Sequence, residues 1–413
     1  MMPEPGGCSY GQPVSAGEIT ESDAIALAQD AYVFGYPLLL SAHAARESNR
    51  LFLAAAQDHT RRIWGWLDVG QEPWVLSLPE TFGRYYVIWL RDSWHTAFAS
   101  VGVRTTGTEP RAIALVGPAS QGTHLRAGLT AIATPTRLVR VTGAIEAGEG
   151  DDRLAEGIRL APASRWTTVE DGKAPAAAAD GNGATVRAAA EVDQLDAQAF
   201  FSDLLRLSGD NAPEPADRGI LTRLREVLAA GDGLAPALDA GVRRGREALR
   251  AAVAQPAGTR VGAWRINYDH GRYGSDYLRR AAAARTGLGD EPATDELVAV
   301  AEADANGVAL TGRDRYVLRF APEAAPPVQA FWSLSTSAGS LSDAQGLMLD
   351  ADGALSILIQ HDAPDAGRGT NWLPAPPDRF VLTLRLFWPR EEALEGRWTP
   401  PAAQVLQLVS PDR

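Results

Sequence analysis

The apolar residues of this chain change period twice, and that change narrows the possible folds more than any other feature. From about Trp64 to Val141 the segments "WVLSLP", "RYYVIWL", "RAIALVG" and "RLVRVTG" are short, apolar-rich and punctuated by Gly and Pro, the pattern of sheet. From about Leu195 to Val253 the spacing becomes three to four. Phe200, Leu204 and Leu207 form one stripe, Leu221, Leu224 and Leu228 a second, with Pro213 and Pro215 between them. Near Arg315 the strand period returns in "DRYVLRF", "QAFWSLS", "ALSILIQ" and "RFVLTLRLFW". In a parallel α/β sheet the helices would alternate with the strands; here β regions flank a helical middle. The fold expected is mainly β with an α-helical insertion: two β-sandwich-like (jelly-roll-like) domains plus a helical subdomain.

At 413 residues the chain exceeds one ordinary core. Thr20, Ser22 and Asp23 start a helix whose Ile25, Ala28, Tyr32 and Tyr36 share a face, and Pro37 is expected to end or kink it. "DGKAPAAAADGNGATV" is low in complexity and reads as a linker. The resulting division is an N-terminal helical segment over 1–63, a first sandwich over 64–170, a linker over 171–194, a helical subdomain over 195–300 and a second sandwich over 301–413. A faint internal echo joins Gly83-Arg84-Tyr85-Tyr86-Val87, leading to Trp94, with Gly312-Arg313 and Arg315-Tyr316-Val317, leading to Trp332. Chance produces such an echo; so do two related sandwiches.

Charge and cysteine usage exclude several function classes. A formal charge of -12 leaves no basic face for phosphate neutralisation, so no nucleic-acid partner is expected. No apolar run is long enough to cross a bilayer, so no membrane partner is expected either. Lys173 is the sole lysine and lies in the linker, which argues against Schiff-base or pyridoxal chemistry. Cys8 is the sole cysteine, leaving no intrachain disulfide, cysteine-based zinc site or iron–sulfur cluster. The histidines, His43, His59, His95, His124, His270 and His361, are scattered without a metal-binding spacing, and nucleotide loops and a nucleophile elbow are absent. No cofactor and no metal are expected. "MMPEPGGCSYGQPV" has neither a basic start nor an apolar segment before Cys8, which reads as cytoplasmic. The partner expected is a small molecule, with a homo-oligomer left open.

Two sets of motifs resemble a known domain pair. "YVFGYPL", "WLDV", "PWVLSLPETFGRYYV", "FASVGVRTTG" and "LVGP" resemble the domain of unknown function 1254. "YLRRAAAARTGLG", "YVLRF", "PPVQAFWSLS", "DGALSILIQHDAP" and "NWLPAPPDRFVLTLRLFWP" resemble its companion, the domain of unknown function 1214. The resemblance implies two β-sandwich-like domains with helices between or beside them, and no established reaction. The chain departs from the family pattern in two places. Where that pattern reads Asn-x-Asp-Thr-x-Tyr, this chain reads Gln57-Asp58-His59-Thr60-Arg61-Arg62. After the Phe-Trp-Ser-Leu segment the usual tyrosine is missing at Thr336-Ser337-Ala338, and the following Arg-Tyr segment is deleted, so the chain resembles a divergent, shortened member.

Candidate site residues come from two stretches. In "GRYYVIWLRDSWHTAFASVGVRTTG" a strand places Arg84, Tyr86 and Ile88 on one face and Tyr85, Val87 and Trp89 on the other. A turn near Asp92 would bring Asp92, His95 and Arg104 to one rim, with Asp92 tuning His95 for proton transfer. The alternative is aromatic cross-strand packing with solvated charges. In "IQHDAPDAGRGTNWLPAP", Asn371 lies in a Pro-rich turn where Asn commonly bonds its own backbone, and Trp372 is a platform for a sugar or aromatic ring. "YDHGRYG" reads as a turn.

Two functions fit these residues. One is a cofactor-independent acid/base enzyme for a small polar or anionic metabolite, by hydrolysis, elimination or isomerisation. Arg84, Arg104 and Arg385 would clamp the substrate, His95 with Asp92 would move the proton, and His59 would be a reserve base. The other is a non-catalytic carbohydrate or small-molecule binding protein, resting on Asn371, Trp372 and the 11 tryptophans.

Overall fold

A computed structural model of the protein describes residues 19–177, 183–255, 257–287, 291–364 and 371–406. The first sandwich comprises β1 (Arg50–Leu53), β2 (Thr60–Asp68), β3 (Trp74–Leu78), β4 (Tyr86–Asp92), β5 (Ala97–Gly102), β6 (Arg111–Val116), β7 (Thr130–Ala133), β8 (Leu138–Glu146), β9 (Arg159–Pro162) and the edge strand β10 (Ala176–Ala177). Its six-stranded sheet runs β10-β1-β2-β8-β4-β5 and its four-stranded sheet β7-β6-β3-β9. Alternate residues of the two sheets meet in a core that includes Ile63, Leu76, Tyr86, Ile88, Ile113 and Val141.

The second sandwich comprises β11 (Thr259–Val261), β12 (Trp264–Ile266), β13 (Glu296–Ala301), β14 (Tyr316–Phe320), β15 (Trp332–Ser335), β16 (Ser340–Ser342), β17 (Leu355–Gln360), β18 (Trp372–Pro374), β19 (Leu382–Phe387) and β20 (Gln404–Val405). Its sheets run β11-β12-β13-β19-β15-β16 and β18-β17-β14-β20. The core between them includes Leu297, Leu318, Trp332, Ile357 and Leu384.

The sandwiches repeat one topology. Taken in chain order, β1 through β9 and β12 through β20 occupy the same places in their sheets, down to the parallel pairs β6–β7 and β17–β18 at the edges. The sequence echo matches β4 to β14, whereas the topology matches β4 to β15 and β3 to β14. The echo therefore joins strands that do not correspond.

The helices are α1 (Glu21–Ala44), the short α2 (Val103–Thr106) and α3 (Asp151–Gly157), then α4 (Gly183–Val192), α5 (Ala197–Asp210), α6 (Arg218–Ala229), α7 (Ala235–Ala254), α8 (Tyr277–Thr286) and the short α9 (Glu391–Leu394). A capping box of Thr20 and Asp23 opens α1. This helix continues through Pro37 and does not end there. Tertiary packing explains the continuation: from Ala31 to Ser41 every residue of α1 is buried, with α4 to α8 packed around it. On α7, a Cβ at Gly241 would lie 2.4 Å from the Cβ of Ala28, so the absent side chain lets α7 approach α1 closely.

Several strands lie outside the expected segment bounds. β1 and the start of β2 precede residue 64, and β11, β12 and β13 begin before residue 301. "RLFL", "TRV" and "WRI" are too short to display an alternation. In the 171–194 stretch β10 pairs with β1 and α4 begins at Gly183, while 178–182 lie outside the described residues. Among the described residues no helix is long and apolar enough to cross a membrane.

Candidate functional site

Three polar regions are built where the sandwiches and helices meet. The first is the seam between the sandwiches. Core residues Tyr86, Ile88 and Leu90 of β4 alternate with Tyr85, Val87 and Trp89, which pack on Phe331 and Phe387 of the second sandwich. Both faces of the strand are therefore buried. Beside this apolar patch Arg62 makes a bidentate pair with Glu296, Nη1 to Oε2 at 2.9 Å and Nη2 to Oε1 at 2.8 Å. Arg385 Nε lies 3.2 Å from Glu296 Oε1, and its Nη1 donates to Asp58 Oδ2 at 3.3 Å. Burial alone would raise the Glu296 carboxyl, but Arg62, Arg385 and His270 outweigh it and hold the group below the usual glutamate range. The neighbouring Asp295 is also sealed: Oδ1 accepts from Arg104 Nε at 2.6 Å and Oδ2 from Trp89 Nε1 at 3.1 Å.

The second region is the β4–β5 turn. Asp92 Oδ1 accepts the amides of Trp94 at 3.0 Å and Thr96 at 2.8 Å, which closes the turn. Burial drives the Asp92 carboxyl up to about 6 despite those bonds and the nearby Arg280. His95 is buried and held at φ 70, with its ring centroid 6.5 Å from that of Tyr273. The turn is fastened to the helices by Trp94 Nε1, which donates to Asn211 O at 3.0 Å, and by the Ser93 hydroxyl, 3.0 Å from Asn211 Oδ1.

The third region is a cleft of about 1130 Å³ between α7, α8 and the outer face of β12 and β13. Its floor carries Val298 and Val300, and Leu278 and Ala282 face it from α8. Four arginines line it: Arg260, Arg265, Arg279 and Arg379. Of the acids there, Asp276 caps α8 through the Arg279 amide, and Asp269 lies 3.9 Å from Arg279 Nη1. Glu302 is the third lining carboxylate among the described residues, and Arg279 Nη2 also donates to Asn267 Oδ1 at 2.6 Å. Tyr273 and His270 also line the cleft, so His95 stands one layer behind it and Glu296 lies beyond His270.

None of the eight residues singled out in the sequence lines this cleft. Arg104 and Arg385 come together at the seam, where their guanidinium groups already have acidic partners. His59 joins them through a tight turn in which Asp58 and His59 both have positive φ, 50 and 62, bridged by Gln57 and Thr60. Its Nε2 is buried and makes no hydrogen bond among the described residues. Asp92 and His95 share the turn expected of them, but Asp92 Oδ1 receives backbone amides. Arg84 donates to the carbonyls of Glu146, at 3.0 Å, and Glu149. Asn371 binds the backbone of Met348 and Ser356, a structural role, but one that reaches distant segments and not its own backbone as expected. Trp372 is half-buried and donates to Gln360 O at 3.1 Å.

Sequence reasoning passed over Arg62, Asp295, Glu296, Arg279 and Arg379. The signals were Arg62 at a departure from the family pattern, Arg279 and Arg379 inside family-resembling motifs, and the polar-aromatic turn "YDHGRYG", whose Tyr268, Asp269, His270 and Tyr273 line the cleft. Among the described residues no three His, Cys, Asp or Glu side chains are grouped as metal ligands would be.

Comparison with known proteins agrees with the two-part architecture. Residues 39–162 match the family described as "Protein of unknown function (DUF1254)", and residues 295–391 match "Protein of unknown function (DUF1214)". The VPA0106 protein from Vibrio parahaemolyticus shares the fold at a TM-score of 0.68 and 20% identity, over 93% of this chain and 100% of that one. A putative uncharacterized protein from Burkholderia cenocepacia aligns at a TM-score of 0.42 and 10% identity, over 94% of this chain and 96% of that one. No curated protein matches. The seam pair Arg62–Glu296 joins the two matched segments, whereas α7 and α8, the helical wall of the cleft, lie outside both.

Proposed function

Because the chain belongs to the two-domain family that joins DUF1254 to DUF1214, whose descriptions assign no reaction, we propose a function from its own cleft: a cofactor-independent acid/base enzyme acting on a small polar or anionic metabolite. The observation that carries this reading is that, among the described residues, four arginines line the cleft against three carboxylates, Asp269, Asp276 and Glu302. Arginine suits an anionic substrate because its planar fork makes paired, charge-assisted hydrogen bonds to carboxylate or phosphate oxygens. His270 lines the same space and is close enough to Glu296 for charge interaction, so it is the residue to move a proton there. Hydrolysis, elimination and isomerisation all call for this combination of an anion clamp and a proton carrier. Carbohydrate capture would need an exposed tryptophan face; each of the 11 tryptophans is buried or half-buried.

The test is retention of metabolites from a cell extract, read by mass spectrometry after gel filtration, for the wild type, the Arg279→Ala/Arg379→Ala double variant and His270→Gln. The wild type should retain or convert an anionic species that the double variant loses. His270→Gln should retain it unchanged. Retention of neutral or cationic species alone would refute the reading, and an anion returned unchanged by wild type and His270→Gln alike would reduce it to non-catalytic binding.

A further inference from the structure

The cleft is more than a polar anion site. Its floor, Val298 and Val300, is the outer face of β13, and both valines are only half-buried. Leu278 and Ala282 of α8 oppose them, Val253 of α7 closes one side, and Val381 stands 40% exposed at another. Arg260 and Arg379 are exposed, whereas Arg265 and Arg279 are half-buried. Cations thus surround an apolar floor. A compact polar anion would satisfy the arginines and leave the valines in water, while a volume of about 1130 Å³ leaves room for much more.

We infer that the ligand of this cleft is an amphipathic acid, an apolar chain or ring carrying one anionic head, with the body over Val298 and Val300 and the head at the arginines. This rests on the cleft being the site, as proposed above, and narrows the ligand class.

The test uses straight-chain alkanoates from butanoate to decanoate on the full chain, by calorimetry or by displacement of an anionic naphthalene dye. Affinity should rise about fourfold per added methylene until the cleft is filled, the factor that follows from ~0.8 kcal/mol per buried CH₂. Octylamine and octanol should bind at least about tenfold more weakly than octanoate, since they lack the charged hydrogen bonds. Arg279→Ala/Arg379→Ala should weaken every alkanoate while keeping the per-methylene factor. Val298→Thr/Val300→Thr, which preserves side-chain shape, should flatten that factor. Succinate or citrate binding with no chain-length dependence would overturn this inference and leave the anionic-metabolite reading standing. Equal affinity for octanoate and octylamine, or no binding of any anion, would overturn both. The wild-type series alone decides these outcomes.

Discussion

Glu296→Gln is the substitution that probes the seam most directly. Glu296 is 1% exposed and receives both Arg62 and Arg385, so the amide would leave two guanidinium groups facing a neutral oxygen. Removing one member of a buried ion pair costs ~3–5 kcal/mol. Water reaches the Arg62 and Arg385 side chains, which are 31% and 24% exposed, and this places the expected loss at the lower end, about 3 kcal/mol. Arg62→Ala should cost a similar amount, since Glu296 would keep only Arg385. Arg62→Met/Glu296→Met should recover most of the loss, because the apolar pair replaces two of the charges and Arg385 keeps Asp58 as its partner. Urea unfolding of the four proteins, followed by tryptophan fluorescence and circular dichroism, compares them. The acid limb is an independent check. The Glu296 carboxyl titrates lower in the fold than in the unfolded chain, so its contribution is present above the unfolded glutamate range and lost as pH falls through the folded value. Glu296→Gln should lack that loss. If each single substitution costs less than about 1 kcal/mol, the value of a solvated surface pair, the seam network is not a buried one in solution and the reasoning fails.

Asp92→Asn has the opposite pH signature. The Asp92 carboxyl is raised to about 6 in the fold, so its contribution is present below the unfolded aspartate pKa of about 3.9 and lost as pH rises through 6. The asparagine oxygen can still accept the Trp94 and Thr96 amides, so the variant should gain up to roughly 2–3 kcal/mol on the wild type between pH 4 and 7. Thermal melting against pH measures this, and a flat difference across that window would refute it. Arg104→Ala strips Asp295 of a charged hydrogen bond at the seam and should cost about 1.5–3 kcal/mol of stability. Ligand affinity per folded molecule should not change, because Arg104 does not line the cleft; weakened binding at unchanged melting temperature would put the site back at the seam.

Strand faces were legible in the sequence, and their coverings were not. The alternation in "YYVIWL" correctly separates Tyr86 and Ile88 from Tyr85, Val87 and Trp89, because side chains alternate across a pleated strand whatever lies above them. What covers the second face is Phe331 and Phe387, and no local pattern announces a partner so distant in the chain. The same limit applies to charge. Arg62 meets Glu296 across 234 residues, so its motif holds nothing that says its guanidinium is taken. Arg104 and Arg385 have the chemistry of a substrate clamp, but buried acids need that chemistry too, and the fold assigns both residues to the acids. Arg279 and Arg379 lie inside the family-resembling motifs "YLRRAAAARTGLG" and "NWLPAPPDRFVLTLRLFWP", but nothing in either motif says what its arginine faces. Only the meeting of α8 with β13 brings them to one cleft.

The repeated topology explains why a cleft forms over one sandwich and not the other. Each six-stranded sheet has an outer face to cover, and the chain carries one helical layer for two such faces. On the first sandwich, Trp66 and Leu138 pack into the cluster around α1, while Tyr85, Val87 and Trp89 take the second sandwich, so that face is closed along β2, β8 and β4. On the second, the seam covers Phe331, Arg385 and Phe387, but α8 leaves Val298 and Val300 with the cleft between them and the helix. Two copies of one topology would present equivalent faces; the shared helices close one and leave the other open. The open face gathers the arginines whose guanidinium groups are not committed to the seam. Function in this chain is therefore sought at the place where the repeat is broken.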